Sequence, residues 1–258
     1  MKKFYSLTAL LCAAVTAAHA QTIWNGATSS NWADPANWSL GVPGPTTDVI
    51  IPTGRSIYPL VTSTNASCRT LTLQNNANLT INSNATLVVN VATGTSNTAV
   101  NVNSTAMLVL LGTMRVKANI VNNGTINSGS SALLRVENTS GTVNFSGAGA
   151  TSFNDITFGA GAASFSSALS TQARITRRAL LANGNVTTNG KVRFAAPFSS
   201  PTAPSGYVYY GGNGRLNGSI TVERPISSLH NKGNGYRHYS TPVANPTFSS
   251  LATSGFSP

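Results

Sequence analysis

Residues 70–91, TLTLQNNANLTINSNATLVVNV, decide how the chain is read. The pairs Leu71/Leu73, Leu79/Ile81 and Leu87/Val89 recur at steps of eight. Within a pair the side chains are two residues apart and leave the same face of a strand. Between pairs lie Asn75, Asn76, Asn78, Asn82 and Asn84, a residue type that tolerates left-handed backbone and bonds its own main chain at corners. Strand, corner, strand describes a coil, and three strands per turn give about 24 residues per coil. One such coil buries too little apolar surface to offset the entropy of ordering it. Coils must therefore stack, each strand pairing with the coils on either side. The expected fold is all-β: a right-handed parallel β-helix, or β-solenoid.

The same two-residue rhythm continues loosely through Val100/Val102, Met107/Val109/Leu111, Met114/Val116, Ile120, Ile126, Leu134/Val136, Val143/Phe145, Ile156/Phe158 and Phe165. Gly112, Gly124, Gly129, Gly141, Gly147 and Gly159 fall between these groups, where corners favour positive φ. Roughly six coils fit between residues 70 and 222. In Lys191-Val192-Arg193-Phe194, alternation puts the cations on one wall and the apolar residues on the other. Pro197, Pro201 and Pro204 cannot donate to a central strand and mark a boundary. The expected organisation is a leader over residues 1–20, a Trp-rich N-terminal cap over 21–65, the ladder over 66–196, and a small irregular Tyr/Gly-rich segment over 197–258.

Charged residues make up only 8% of the chain, which fits a secreted fibrous surface better than a typical intracellular enzyme. Lys2 and Lys3 precede an apolar run that ends in Ala18-His19-Ala20, the pattern of a secretory signal peptide. Cleavage near Ala20 places the protein outside the cell or on its outer surface. No apolar run is long enough to span a bilayer as a helix. Loss of the leader removes Lys2, Lys3 and Cys12, leaving 14 basic against 5 acidic residues, a formal +9. Cys68, beside the Leu71/Leu73 pair, is expected to be a buried thiol without a disulfide partner.

All three tryptophans fall within fifteen residues: Trp24, Trp32 and Trp38. They fit a cap covering the open end of the first coil or, as the alternative, a carbohydrate-binding platform stacking on sugar rings. The block Trp24-Asn25-Gly26, Asn31-Trp32, Ala36-Asn37-Trp38-Ser39, Gly41-Val42-Pro43 and Asp48-Val49-Ile50-Ile51-Pro52 resembles the opening of many large secreted surface proteins of the Bacteroidota. In those a W-x-G … N-W-S … G-x-P … D-V-x-I-P block precedes repeats of the L-T-I-x-x-x-A-x-L type. A second resemblance, over residues 220–243, is a V-E-R-x-I … Y-R-x-Y-S-x-P-V block. The resemblance implies export by a type IX secretion system and a C-terminal sorting domain. No such domain is recognised before Pro258, which reads as a truncated open reading frame.

Catalysis by paired carboxylates must draw on Asp34, Asp48, Glu137, Asp155 and Glu223. Glu137 and Asp155 are the best pair, on adjacent coils, both expected outward beside Arg135 and solvent. His230 and His238 have no Cys, Asp or Glu at metal-ligand spacing. No cofactor motif is present, and the chain is expected not to be an enzyme, with a polysaccharide lyase or hydrolase as the remote alternative. Arg174, Arg177, Arg178, Lys191 and Arg193 form a basic run that could hold a polyanion. No aromatic interleaves with it, so a specific nucleic-acid partner is not expected. The function expected is a structural or adhesive scaffold with weak, multivalent contact to cell-surface or matrix polysaccharide.

Overall fold

In the computed structural model the chain divides into two compact units, Met1–Arg224 and Pro225–Pro258. The residues described are 19–91, 97–195 and 206–223, all in the first unit. Residues 1–18 of the leader, Pro197, Pro201 and Pro204, most of the second resemblance block, and His230 and His238 lie outside them.

After the first strand, the chain winds around three faces in turn. β1 (Gln21–Ile23) opens the first face. The first coil is β2 (Asp48–Ile51), β3 (Leu60–Val61) and β4 (Ala66–Cys68). Then come β5 (Thr70–Leu73), β6 (Asn78–Ile81) and β7 (Thr86–Val89); β8 (Thr98–Val102), β9 (Met107–Leu110) and β10 (Thr113–Val116); β11 (Asn119–Asn122), β12 (Thr125–Ser128) and β13 (Leu133–Val136). β14 (Thr142–Ser146) is followed by the long β15 (Ala150–Phe158), and β16 (Ala162–Phe165) by the long β17 (Ala173–Leu181). β18 (Val186–Thr187), β19 (Val192–Phe194) and β20 (Tyr207–Tyr210) make the next coil, and β21 (Leu216–Asn217) and β22 (Thr221–Val222) begin another. All the pairings between these strands are parallel, so the first unit is a parallel β-solenoid.

On the first face Val49 lies beside Leu71, then in turn Val100, Ile120, Phe145 and Phe165, steps of 22, 29, 20, 25 and 20 residues. The coil length expected from the eight-residue repeat falls inside that range. β15 and β17 each run through two faces without a break: Ala150–Thr151 pairs with β12 on the second face and Asp155–Phe158 with β13 on the third. The corner between those faces collapses there to a register shift between Phe153 and Asp155. The ladder also begins earlier and ends later than expected. β2 and β3 lie in the stretch read as cap, and β20–β22 carry all three faces past the proline-rich boundary.

The inward residues form one core. Leu71, Leu73, Leu79, Ile81, Leu87 and Val89 are fully buried, as their spacing requires. In the run Met107–Leu110 the inward residues are Leu108 and Leu110, while Met107 is exposed and Val109 and Leu111 are half-buried, the opposite phase from that expected. A continuous apolar run has no intrinsic phase, and here the buried Ala106 at the corner sets it. Towards the C-terminal coils the core becomes aromatic: Phe145 stacks on Phe165 at 4.5 Å, and Phe158 meets both edge-on.

Of the corner asparagines between residues 75 and 84 only Asn76 and Asn84 have positive φ, and of the corner glycines named above only Gly141 and Gly147. Other asparagines work differently, turning inward to bond the next coil. The buried Asn122 donates to the Ala150 carbonyl and Thr151 Oγ1, both at 2.9 Å, and accepts from the Gly124 amide. Asn138 likewise donates to the Gly141 and Ala162 carbonyls. Polar groups inside the stack are tolerated because they tie successive corners together.

Candidate functional site

The cap is built from the motif residues of the opening block. Trp24, Trp32 and Trp38 are 0%, 2% and 4% exposed and stack edge-to-face, with Trp38 at 5.0 Å from Trp24 and 4.8 Å from Trp32. Trp24 Nε1 donates to the Ile57 carbonyl at 2.8 Å and Trp38 Nε1 to the Trp32 carbonyl at 2.7 Å. Gly26, at φ +61°, sits against that bond: a Cβ there would lie 2.6 Å from the Ile57 oxygen. Asn37 is the buried hub. Its Oδ1 accepts from the Thr28 and Ser29 amides, and its Nδ2 donates to Ser29 Oγ and the Asn31 carbonyl. Asp34 caps the 3-10 turn Pro35–Asn37, and bonds from the Thr28 hydroxyl and the Ala36 amide hold its carboxyl below the usual range. The alternative reading of Trp24, Trp32 and Trp38 as a sugar-stacking platform is therefore corrected, and the cap reading kept: the indoles pack on one another and all three are buried.

Each of the other four carboxylates bonds an arginine of a neighbouring coil. Asp48 pairs with Arg69 and Glu223 with Arg193 at 3.0 Å. Glu137 takes Arg115 at 2.8 Å and Arg135 at 3.3 Å. Arg115 and Arg135 are register neighbours, so Glu137 offsets a like-charge contact on the outer wall, and its bonds raise the pKa of Arg115. Asp155 is held by Arg177, with Nε to Oδ1 at 2.9 Å, and by Arg178 at 3.3 Å.

These positions correct the expectation for the acid pair. Asp155 is 4% exposed rather than open to solvent, because the lost corner folds it under the two guanidiniums. Leu133 is its register partner, so Glu137 lies four residues further along, about 13 Å in the strand direction. Two cooperating glycosidase carboxyls sit within about 5–9.5 Å of each other. Glu137 and Asp155 instead each face their own arginines.

The basic run divides between faces. Arg174 and Arg193 are register neighbours on the second face, where Lys191 donates to the Leu169 carbonyl at 2.7 Å. Arg177 and Arg178 gather over Asp155 beside the third face. There the register sets Tyr207 next to Arg178 and Tyr209 next to Leu180. An aromatic does interleave with the cations. Sequence reading missed it because 29 residues separate Arg178 from Tyr207, and only the coil length brings them together.

The outer wall of the first face is polar and uncharged over many coils. Asn119, Asn144, Ser164, Thr187 and Asn217 form one column of register neighbours, and Thr72, Asn101, Val121 and Ser146 another. Thr70, Thr72, Thr98, Asn101 and Val121 line a shallow open groove of about 300 Å³. Asn119 Oδ1 accepts from the Asn144 amide at 2.8 Å, which stiffens the column.

Cys68 is fully buried and unpaired, and burial, followed by the nearby Asp48 charge, pushes its pKa far up, so it is a packing residue and not a nucleophile. Among the described residues no three His, Cys, Asp or Glu are grouped to hold a metal ion, and no helix is long and apolar enough to cross a membrane. Residues 23–147, just under half of the chain, are similar to a family described as a domain of unknown function (DUF8693), a span that covers the indole cap and the strands through β14. No curated protein and no solved structure matches the chain.

Proposed function

We propose that the chain is a secreted or cell-surface scaffold, of the kind its opening block resembles, that meets matrix or cell-surface polysaccharide weakly at many points along its stack. The observation that carries this reading is the first-face wall. Hydroxyl and amide side chains repeat there at the spacing between strands, about 4.8 Å, on a ladder whose coils are cross-bonded and whose carboxylates are occupied by arginines or the cap. Thr72, Asn101, Ser164 and Thr187 are half-buried, so each offers part of its side chain outward. A single contact of this type is worth little, but simultaneous contacts multiply: display of many copies raises avidity by about 10²–10⁴.

The test displays the protein on beads and passes them over immobilised dextran, chitin and alginate. Displayed protein is expected to be retained where the monomer elutes near the void of the uncharged dextran and chitin, and T72A/N101A/S164A/T187A is expected to lose at least about tenfold in retention on those two. Retention unchanged by those four substitutions, or no retention on any of the three, overturns the reading.

A further inference from the structure

We propose that Tyr207 and Tyr209, with Arg177 and Arg178 beside them, form a binding site for a carboxylate-bearing polysaccharide, a polyuronate; the site rests on the glycan-contact reading above and gives it a ligand class. Of the three exposed tyrosines of β20, Tyr210 (54% accessible) takes the inward phase beside Leu181, and Tyr207 and Tyr209, 47% and 53% accessible, take the outward one. They flank Val208, which packs against the core, so both leave the outer wall, about 6.6 Å apart along the strand. An exposed tyrosine presents an apolar face and a polar tip, which matches a sugar ring with C–H groups on its face and hydroxyls at its rim. Below Tyr209 the wall runs through the uncharged Leu180 and Thr157 before it reaches Arg135.

Charge selects the kind of glycan. Two guanidiniums share the single carboxylate of Asp155, so this trio keeps one net positive charge, and Arg177 has 55% of its side chain in solvent. Arg178, the register neighbour of Tyr207, places that excess next to the aromatic pair. A uronate chain can stack a ring on a tyrosine and set its carboxylate against the guanidiniums, in the planar geometry that arginine favours. A single-stranded nucleic acid would need cations repeated along its backbone, whereas the uncharged Leu180 and Thr157 separate Tyr209 from Arg135 and Arg115, whose charge Glu137 partly offsets.

The site is tested on the full soluble chain with alginate oligomers, by titration calorimetry and by affinity electrophoresis. Y207S/Y209S is expected to weaken binding at least about tenfold, and Y207F/Y209F, which keeps both rings, to bind within about twofold of the original. R177Q is expected to lose several-fold, and alginate whose carboxylates have been reduced to alcohols to bind as weakly to the original chain as the intact polymer does to R177Q. The single variants Y207S and Y209S, each losing part of the affinity with an unchanged melting temperature, guard against a folding defect in the double variant. Binding that survives Y207S/Y209S overturns the site while leaving bead retention intact. So does tighter binding of an oligothymidylate that the same variant abolishes. No binding of the soluble chain to alginate also overturns it, while the scaffold reading stands or falls separately on the bead experiment.

Discussion

Trp24→Ala is expected to lower stability by about 3–5 kcal/mol, with the first coil opening before the rest. The indole is fully buried, meets Trp38 edge-on at 5.0 Å and is the donor that fastens residues 55–58 to the cap through the Ile57 carbonyl. Removing it leaves a cavity of ring size and takes the donor from the partly exposed Ile57 carbonyl, the cavity being the larger cost. A solenoid transmits such damage to its nearest neighbour first, because each coil touches only the adjacent ones. The check is urea unfolding followed by circular dichroism, alongside limited proteolysis. Early cleavage is expected within residues 21–65, and the emission of Trp32 and Trp38 should shift to the red. A loss below about 1 kcal/mol with an unchanged cleavage pattern would show that the indoles do not close the stack.

Gly149→Ala is expected to be as damaging, for a different reason. Gly149 stacks directly on Gly124 at the corner before β15, its amide donating to the Asn122 carbonyl at 2.8 Å. A Cβ at Gly149 would fall 2.1 Å from the Gly124 oxygen, which is backbone and cannot swing aside. The coils must separate at that corner, disturbing the Asn122 bonds to Ala150 and Thr151 on the same corner. The expected cost is about 3 kcal/mol or more, the upper end for overpacking. The gentler Gly141→Ala, where no atom lies within 4 Å of the added Cβ, should cost only the strain of positive φ, about 1–2 kcal/mol. Melting temperatures of the two variants give the comparison, and equal effects would mean that contact between corners is not what selects glycine at Gly149.

The contrast between these glycines shows how much of the fold was legible. Period-two apolar pairs and their eight-residue recurrence are local facts, and they correctly predicted parallel coils with Leu71, Leu79 and Leu87 inside. Lys191 and Arg193 outward with Val192 and Phe194 inward follow from the same rule. What a corner residue touches depends on the coil beneath it, and that depends on coil lengths that vary from 20 to 30 residues along the first face. So Gly112 and Gly124 looked like turn formers, whereas close approach of the preceding coil is what excludes a side chain at both. The same limit explains the acids. Arg115 and Glu137 are 22 residues apart, Asp155 and Arg177 likewise, and no local pattern announces such pairs. Tyr207 beside Arg178 was hidden for the same reason. The tryptophans were half legible: the cap is the leading reading and the platform the alternative, and burial of all three indoles decides for the cap. Density of aromatics signalled their importance, but only the stacking geometry could tell a cap from a platform.

Both functional proposals need a wall on which residues from distant parts of the sequence keep fixed spacing, and the stacking of coils is therefore the claim to measure. Cysteines at Thr72 and Thr187, each carrying a nitroxide label, report it by double electron–electron resonance, since the buried Cys68 thiol stays unlabelled. The two positions are half-buried on the first-face wall, on β5 and β18, five strand steps apart and offset by two residues. At about 4.8 Å per step the backbone separation is about 25 Å, and a single narrow distance distribution centred within a few ångströms of that value is expected. A broad distribution, or one centred below about 15 Å or above about 35 Å, would contradict the stacked ladder and, with it, both walls.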